Sequence, residues 1–291
     1  MPSTRDIRRR IKSVKGTAQI TKAMQMVASS KMRKAQQAAI NGRAFAALGR
    51  EITSHVAAEA TDYSHPLLEE REVRERALIV VSTDKGLCGA LNSNLLREAS
   101  KYDQKTTRFI AVGKKAAQFL ARTRRNLVAE FTYHDTPTFS ECQAIADCAK
   151  ELFINGEVDQ VDMLYTRFIN TLSQKPDVHT VLPLTNPAER AAEQAPGQAL
   201  PGGVSGRDYI FEPSVGEVLE RLLTYELSFQ VAQLLFEAKA SEHSARMVAM
   251  KNATENAQQL IKALTLEYNK IRQASITTEL LEIATAQMAL G

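Results

Sequence analysis

The chain has 291 residues, 44% of them hydrophobic but only 6% aromatic, no Trp, and a formal charge of +4. That composition suits a folded protein with room for one α/β domain plus long helices. It offers no run near the ~20 apolar residues of a membrane span. The charged start Met1–Lys12 lacks the apolar core of a secretory signal, so none is expected.

The first segment is predicted to be a long helix over residues 1–60, opening at Ser3 or Thr4 with Asp6 in its first turn. A stripe at 3.5-residue spacing follows: Ile7, Ile11, Val14, Ala18, Thr21, Gln25, Ala28, Met32, Ala35 and Ala39. Its members become small or polar, which lets a second helix approach closely. Gly16, Gly42 and Gly49 weaken this helix only locally. Residues 1–57 carry 12 Lys/Arg against 2 Asp/Glu, while the rest of the chain is net acidic. An anionic neighbour is implied for this helix: nucleic acid, anionic lipid or an acidic protein surface.

Tyr63-Ser64-His65-Pro66 ends the helical region, and residues 75–185 then alternate in the α/β manner. Strands are expected at Ala77–Ser82, Arg108–Val112, Leu127–Thr132, Val161–Phe168 and His179–Leu184. Helices are expected at Ala90–Ser100, Lys114–Arg122 and Ser140–Ile154. This is a small doubly wound domain, Rossmann-like in its order of elements. Residues 186–207, with Pro187, Pro196, Pro201 and four glycines, are expected to form a mobile surface loop.

The last segment, 213–291, is a second long helix. Pro213-Ser214 is a plausible cap, and no Pro or Gly occurs from Glu217 to Leu290. An unbroken helix of that length spans roughly 110 Å, too long to be enclosed by one domain. Its stripe runs from Val215 through Leu219, Leu222, Glu226 and Phe229 to Leu264, Tyr268 and Ile271. The two helices are expected to pack antiparallel as a coiled coil. The longer one should overhang by approximately Tyr268–Leu290, with Ile271, Ile276, Leu280, Leu281, Ile283, Met288 and Leu290 on several faces. A lone helix of that kind needs a partner that surrounds it.

Catalytic signals are weak. Thr83–Asn92 follows the first strand, where nucleotide folds place phosphate loops, but it matches neither G-x-x-x-x-G-K-[ST] nor G-x-G-x-x-G. It reads better as a tight strand-to-helix turn, with Cys88 a small packed thiol. Cys88, Cys142 and Cys148 form no C-x-x-C, and no two of the five His are i,i+4 apart, so neither a metal nor another cofactor is expected. Asp62, His134-Asp135 and Glu141 lack a nucleophile at useful spacing and are read as surface residues. Arg8-Arg9-Arg10, Lys12 and Lys15 either meet a partner's phosphates or carboxylates or form a solvated face.

Several blocks carry a resemblance. They are Asp6-Ile7-Arg8, Ile20–Ala35 (ITKAMQMVASSKMRKA), the Asp84–Asn92 turn, Glu242–Asn256 (EHSARMVAMKNATEN) and Asn269–Glu282 (NKIRQASITTELLE). Asp208-Tyr209 with Glu212-Pro213 is similar to the same family's entry into its last helix. The chain resembles the gamma chain of F-type ATP synthases. The resemblance implies a non-catalytic central rotor shaft of the H⁺-transporting complex. One such chain stands within three alpha and three beta subunits, with the epsilon subunit and the proteolipid c ring at the globular end. It implies no cofactor, no nucleic-acid partner, and a membrane association only through the complex. The expected location is peripheral, on the cytoplasmic face of the bacterial inner membrane, a processed mitochondrial chain being the alternative. By position, Lys22 and Met24 match contacts to moving beta loops. Arg272 and Gln273 match polar contacts near the shaft top, and Ile276, Leu280 and Ile283 an apolar bearing. Tyr209 falls on the ring and epsilon side. One departure is Ala286, where the family has Gly; the helix should continue through it. Two other readings rest on the residues themselves: a DNA-binding coiled coil using the basic first helix, and a nucleotide-using enzyme built on residues 75–185.

Overall fold

The computed structural model describes residues 4–59, 65–185, 212 and 214–290. The chain begins with helix α1, Thr4–Glu59, followed by a 3-10 turn, Pro66–Leu68. Next come β1 (Arg76–Val81), α2 (Leu91–Ala99), β2 (Thr107–Val112), α3 (Lys114–Arg122), β3 (Leu127–Phe131) and α4 (Phe139–Ile154). It ends with β4 (Gln160–Phe168), β5 (Gln174–Leu182) and α5 (Val215–Leu290). Contacts divide the chain into two compact units, Met1–Ser29 with Arg246–Gly291, and Ser30–Ala245.

The Ser30–Ala245 unit is built on one five-stranded sheet in the order β3-β2-β1-β4-β5. β1 to β4 are parallel, as right-handed crossovers through α2, α3 and α4 require. β1 is buried from Ala77 to Val81 because both sheet faces are covered, which is why its sequence is a continuous apolar run. Alternate residues divide between two cores. Leu78, Val80, Phe109, Ala111 and Leu164 cluster with Leu95 of α2 and Leu120 of α3. Ile79, Val81, Ile110, Val112 and Met163 cluster with Ile145 and Phe153 of α4 and with Leu223, Leu227 and Val231 of α5.

The last strand departs from the sequence reading. It begins at Gln174, not His179, and runs antiparallel to β4. Only a short turn separates the two strands, in which Asn170 Oδ1 accepts from Leu172 and Ser173 N–H at 2.9 and 2.7 Å. Such a link closes a hairpin, whereas a parallel crossover needs a dozen or more residues. Lys175, Pro176 and Asp177 hid the strand's start, and all three are residues that an edge tolerates.

Gly113 shows why a small residue is needed between β2 and α3. Its φ is +99°, and a Cβ there would meet Ser82 O at 2.4 Å. That proximity lets Ser82 Oγ accept from Ala116 N–H at 2.7 Å at the opening of α3.

The described residues of the other unit are two helical segments, each without a break; Gly16 interrupts neither the helix nor its neighbours. α1 buries Ile7, Thr21 and Ala28, and α5 buries Met250, Thr254, Ala257 and Leu264. All of these are stripe positions. Thr21 Oγ and Thr254 Oγ are hydrogen-bonded at 2.7 Å. An antiparallel register through that bond sets Ile7 against Tyr268, Ile11 against Leu264 and Ala18 against Ala257.

Residues 186–207, read from the sequence as a loop, and Tyr209 lie outside the described residues. α5 opens as expected, with Ser214 Oγ accepting from Glu217 N–H at 3.3 Å, and it continues through Ala286 to Leu290.

Candidate partner-binding surfaces

The described helix pair stops at the first turn of α1. In the register set by Thr21 and Thr254, Thr4 meets Ile271, and Ile271 is the last half-buried residue of α5. From Arg272 to Met288 every described side chain is exposed. Ile276 is 48% exposed, Leu280 61% and Ile283 64%. A fully buried aliphatic side chain is worth about 1.5–3 kcal/mol, so this end forgoes several such gains while it stays bare. Arg272 and Gln273 begin the bare stretch and are exposed with it.

Lys22 and Met24 lie at a second level of α1, beside the Thr21–Thr254 layer and on different sides of the helix; Lys22 is exposed and Met24 half-buried. Lys22 stands level with residue 253, so about 30 Å of helix separates this level from Gln273. The anticipated contact residues of α1 and α5 therefore fall at two levels of one helix pair.

The turn Thr83–Asn92 uses its polar groups on itself. Thr83 Oγ1 donates to Lys85 O at 2.6 Å, and Asn92 Nδ2 donates to Thr83 Oγ1 at 2.7 Å and to Cys88 Sγ at 3.4 Å. Asp84 Oδ1 accepts from Lys114 N–H at 3.0 Å, occupying the α3 N-terminus with a carboxylate where a phosphate would sit. An apolar hollow of about 380 Å³ of open space lies between α1 and α5, lined chiefly by Thr53, Leu222, Tyr225, Glu226, Phe229 and Gln233. Among the described side chains no Lys or Arg lines it. Among the described residues no group of three His, Cys, Asp or Glu is placed to hold a metal. The Cys142 thiol is pushed up to about 12 by burial and by Glu141, which leaves it a packed thiol and not a nucleophile.

One cluster was not legible in the sequence. Asp135, read there as a surface residue, pairs with Lys31 of α1 and lies 4.0 Å from Lys239 Nζ and 3.6 Å from His243 Nε2 of α5. Lys239 Nζ also pairs with Glu242 at 3.0 Å and sits 4.2 Å from the centre of the Tyr133 ring. Burial acts to raise the Asp135 carboxyl, but Lys31, His243 and Lys239 overcome it and hold the group below its ordinary value. Glu141 is likewise subject to burial, and its bonds from Thr138 and His134 keep it below the ordinary range. The only sequence hint was Thr138-x-x-Glu141, a capping box that is present and fixes the loop carrying Asp135.

Comparison with known proteins covers the whole chain. A family model described as ATP synthase matches residues 3–290. An ATP synthase gamma chain of Methylacidiphilum infernorum is 46% identical over 100% of both chains. Another, from Opitutus terrae, is 47% identical over 99% of each. A chain in a solved Euglena gracilis mitochondrial ATP synthase assembly of OSCP, F1 and c-ring aligns with a TM-score of 0.68 at 21% identity, covering 99% of this chain and 94% of that one. A chain of the Tetrahymena thermophila mitochondrial central stalk and c-ring aligns at 0.59 and 24%, covering 80% and 99%.

Proposed function

This chain belongs to the ATP synthase gamma-chain family, and on that footing we propose how its two units share the work of a rotor. It is the central stalk of the complex, a subunit that transmits torque and catalyses nothing itself. The helix pair stands inside the ring of three alpha and three beta subunits. The α/β unit faces the epsilon subunit and the proteolipid c ring, with Tyr209 on that side. The observation that carries this reading is the bare end of α5: apolar side chains at Ile276, Leu280 and Ile283 project from a helix whose own partner has ended. A sleeve formed by alpha and beta supplies the burial that the chain cannot.

Within that sleeve Ile276, Leu280 and Ile283 form the bearing, and Arg272 and Gln273 make polar contacts just below it. Lys22 and Met24 meet the beta loops that move with nucleotide state. No helix among the described residues is long and apolar enough to cross a membrane. The chain reaches the membrane only through the complex, at the cytoplasmic face of the bacterial inner membrane.

The test is assembly. Mixed with matched alpha and beta subunits, the full chain should elute as one complex, one copy per three alpha–beta pairs, with ATPase activity that the chain alone lacks. Deleting Ile276–Gly291 should weaken that complex. Normal assembly and coupling after the deletion would sink the bearing. Two separate peaks with the full chain, together with salt-dependent retention on DNA, would favour a nucleic-acid role for the basic α1 face.

A further inference from the structure

The ion cluster around Asp135 has a consequence for how force passes through the chain. We propose that Asp135 is the keystone of an electrostatic clamp that fastens both long helices to the β-sheet at the boundary of the Ser30–Ala245 unit. The clamp can be followed link by link. Tyr133, at the end of β3, donates from its hydroxyl to Ser82 O, at the end of β1, at 3.3 Å. The Lys239 ammonium lies over the Tyr133 ring at 4.2 Å. Lys239 pairs with Glu242 at 3.0 Å and approaches Asp135 at 4.0 Å. Asp135 then takes Lys31 of α1 as its other partner, with His243 of α5 at 3.6 Å.

Two features make this a built device and not a chance meeting of surface charges. The first is burial. On the α5 side the side chains of Lys239, Glu242 and His243 are only 3%, 6% and 2% exposed, while Lys31 and Asp135 are 45% and 47% exposed. An ammonium so deeply placed is costly to desolvate, and two carboxylates and an aromatic face offset that cost only while the arrangement holds. The second is preorganisation. The loop that presents Asp135 is pinned on its far side by the Thr138–Glu141 capping box and by His134, whose Nδ1 lies 2.6 Å from Glu141 Oε1. Asp135 therefore needs little ordering to meet Lys31.

Position supplies the purpose. Lys31 is the second residue of the Ser30–Ala245 unit and His243 the third from its end, so the clamp grips each helix beside the point where it passes to the other unit. Apolar contacts resist separation but allow sliding, since burial is non-directional. The Lys31–Asp135 and Lys239–Glu242 charge-assisted bonds fix direction, and the Asp135 charge holds Lys239 and His243 across 4.0 and 3.6 Å. Twist applied to the sheet would thus reach both helices together. The clamp rests on geometry alone; only its mechanical role rests on the stalk reading.

The test uses the full chain and hydrogen exchange read by mass spectrometry. Asp135→Asn should leave the circular dichroism unchanged. It should speed exchange in peptides covering residues 28–36 and 236–246 by roughly tenfold, the scale expected for losing a charge-assisted bond. Lys31→Met should speed exchange in 28–36 alone, and Asp177→Asn on the exposed edge strand should do neither. Exchange in both helices unchanged by Asp135→Asn and Lys31→Met would overturn the clamp. In the assembled complex, Asp135→Asn should reduce ATP synthesis more than ATP hydrolysis; equal retention of both would overturn the mechanical role. Failure of the wild-type chain to assemble would count against the stalk reading, and hydrogen exchange in the free chain would still decide for or against the clamp.

Discussion

One helix, α5, passes through two very different settings. Between Val215 and Ala245 it buries Leu219, Leu223, Leu227, Val231, Leu234 and Leu235, and then every residue from Ala238 to Ser244. Among the described side chains from Arg246 onward it buries Met250, Thr254, Ala257 and Leu264, and beyond Ile271 none. Helix propensity does not separate the two stretches, because neither contains Pro and only Gly216 interrupts the first. The neighbours decide. A sheet and further helices cover a wide face, whereas one slim partner covers a single seam at 3.5-residue spacing. Stability is thus concentrated in the layered unit, and the two-helix unit depends on register and on what surrounds it.

The comparison can be broken most forcefully in the layered unit. Phe109→Ala empties a fully buried site between β2 and the α2–α3 layer and should cost about 3–5 kcal/mol by urea denaturation. A loss below about 1 kcal/mol would mean that this core is not where stability sits. Gly113→Ala comes next. At φ +99°, and with Ser82 O 2.4 Å from the new Cβ, it should cost roughly 2 kcal/mol or more, seen as a lower thermal midpoint. An unshifted midpoint would contradict the close approach of the two backbones.

The two-helix unit should respond more weakly. Each hydroxyl has one proton and a carbonyl of its own helix within reach, Ala18 O at 3.1 Å for Thr21 and Met250 O at 2.8 Å for Thr254, so neither is left bare when its partner is replaced. A double-mutant cycle with Thr21→Val and Thr254→Val should therefore give a coupling of only about 0.5–1 kcal/mol. A coupling of zero would remove the polar layer as the feature that sets register. At the bare end the effect on the isolated chain should be smallest of all. Ile276→Ala with Leu280→Ala should change stability by less than about 0.5 kcal/mol, since both side chains are already in water. The same pair should weaken binding to alpha and beta, measured by calorimetry. A large loss of stability in the free chain would show that this end is covered by the chain itself.

Acid should act on the layered unit. Backbone N–H groups of Glu75 and Arg74 hold the Asp159 carboxyl below its ordinary value, and Asp135 and Glu141 are held low by their own partners. A carboxyl depressed in the folded state adds stability that is present above its unfolded pKa and is lost as pH falls through its folded value. The thermal midpoint should begin to fall gently below about pH 6.5, because burial holds the His65 imidazole below its ordinary value and its protonation favours the unfolded chain, and should fall more steeply below about pH 4, where ordinary carboxyls protonate. Asp159→Asn should flatten part of that fall.

Much of this architecture was legible without coordinates. Long-range order along a helix is written locally, in spacing: the stripe from Ile7 to Ala39 and its counterpart ending at Ile271 are all positions that the structure buries or half-buries, although α5 also buries Leu223, Leu227, Val231 and Leu235 beside the stripe. Continuous apolar runs such as Ala77–Val81 likewise announce a strand covered on both faces. The unequal lengths of the two helices pointed to an apolar end needing a partner. What the sequence could not convey depends on groups far apart in the chain. The start of β5 and its antiparallel direction were hidden, because the first residues of this edge strand carry the charges and proline of a loop. Asp135 looked like a surface residue because its partners, Lys31, Lys239 and His243, lie about a hundred residues away on either side, and ion pairing leaves no periodic trace. Periodicity records which face of an element is covered; only the tertiary structure decides which charge meets which, because that depends on where separate elements bring their side chains together.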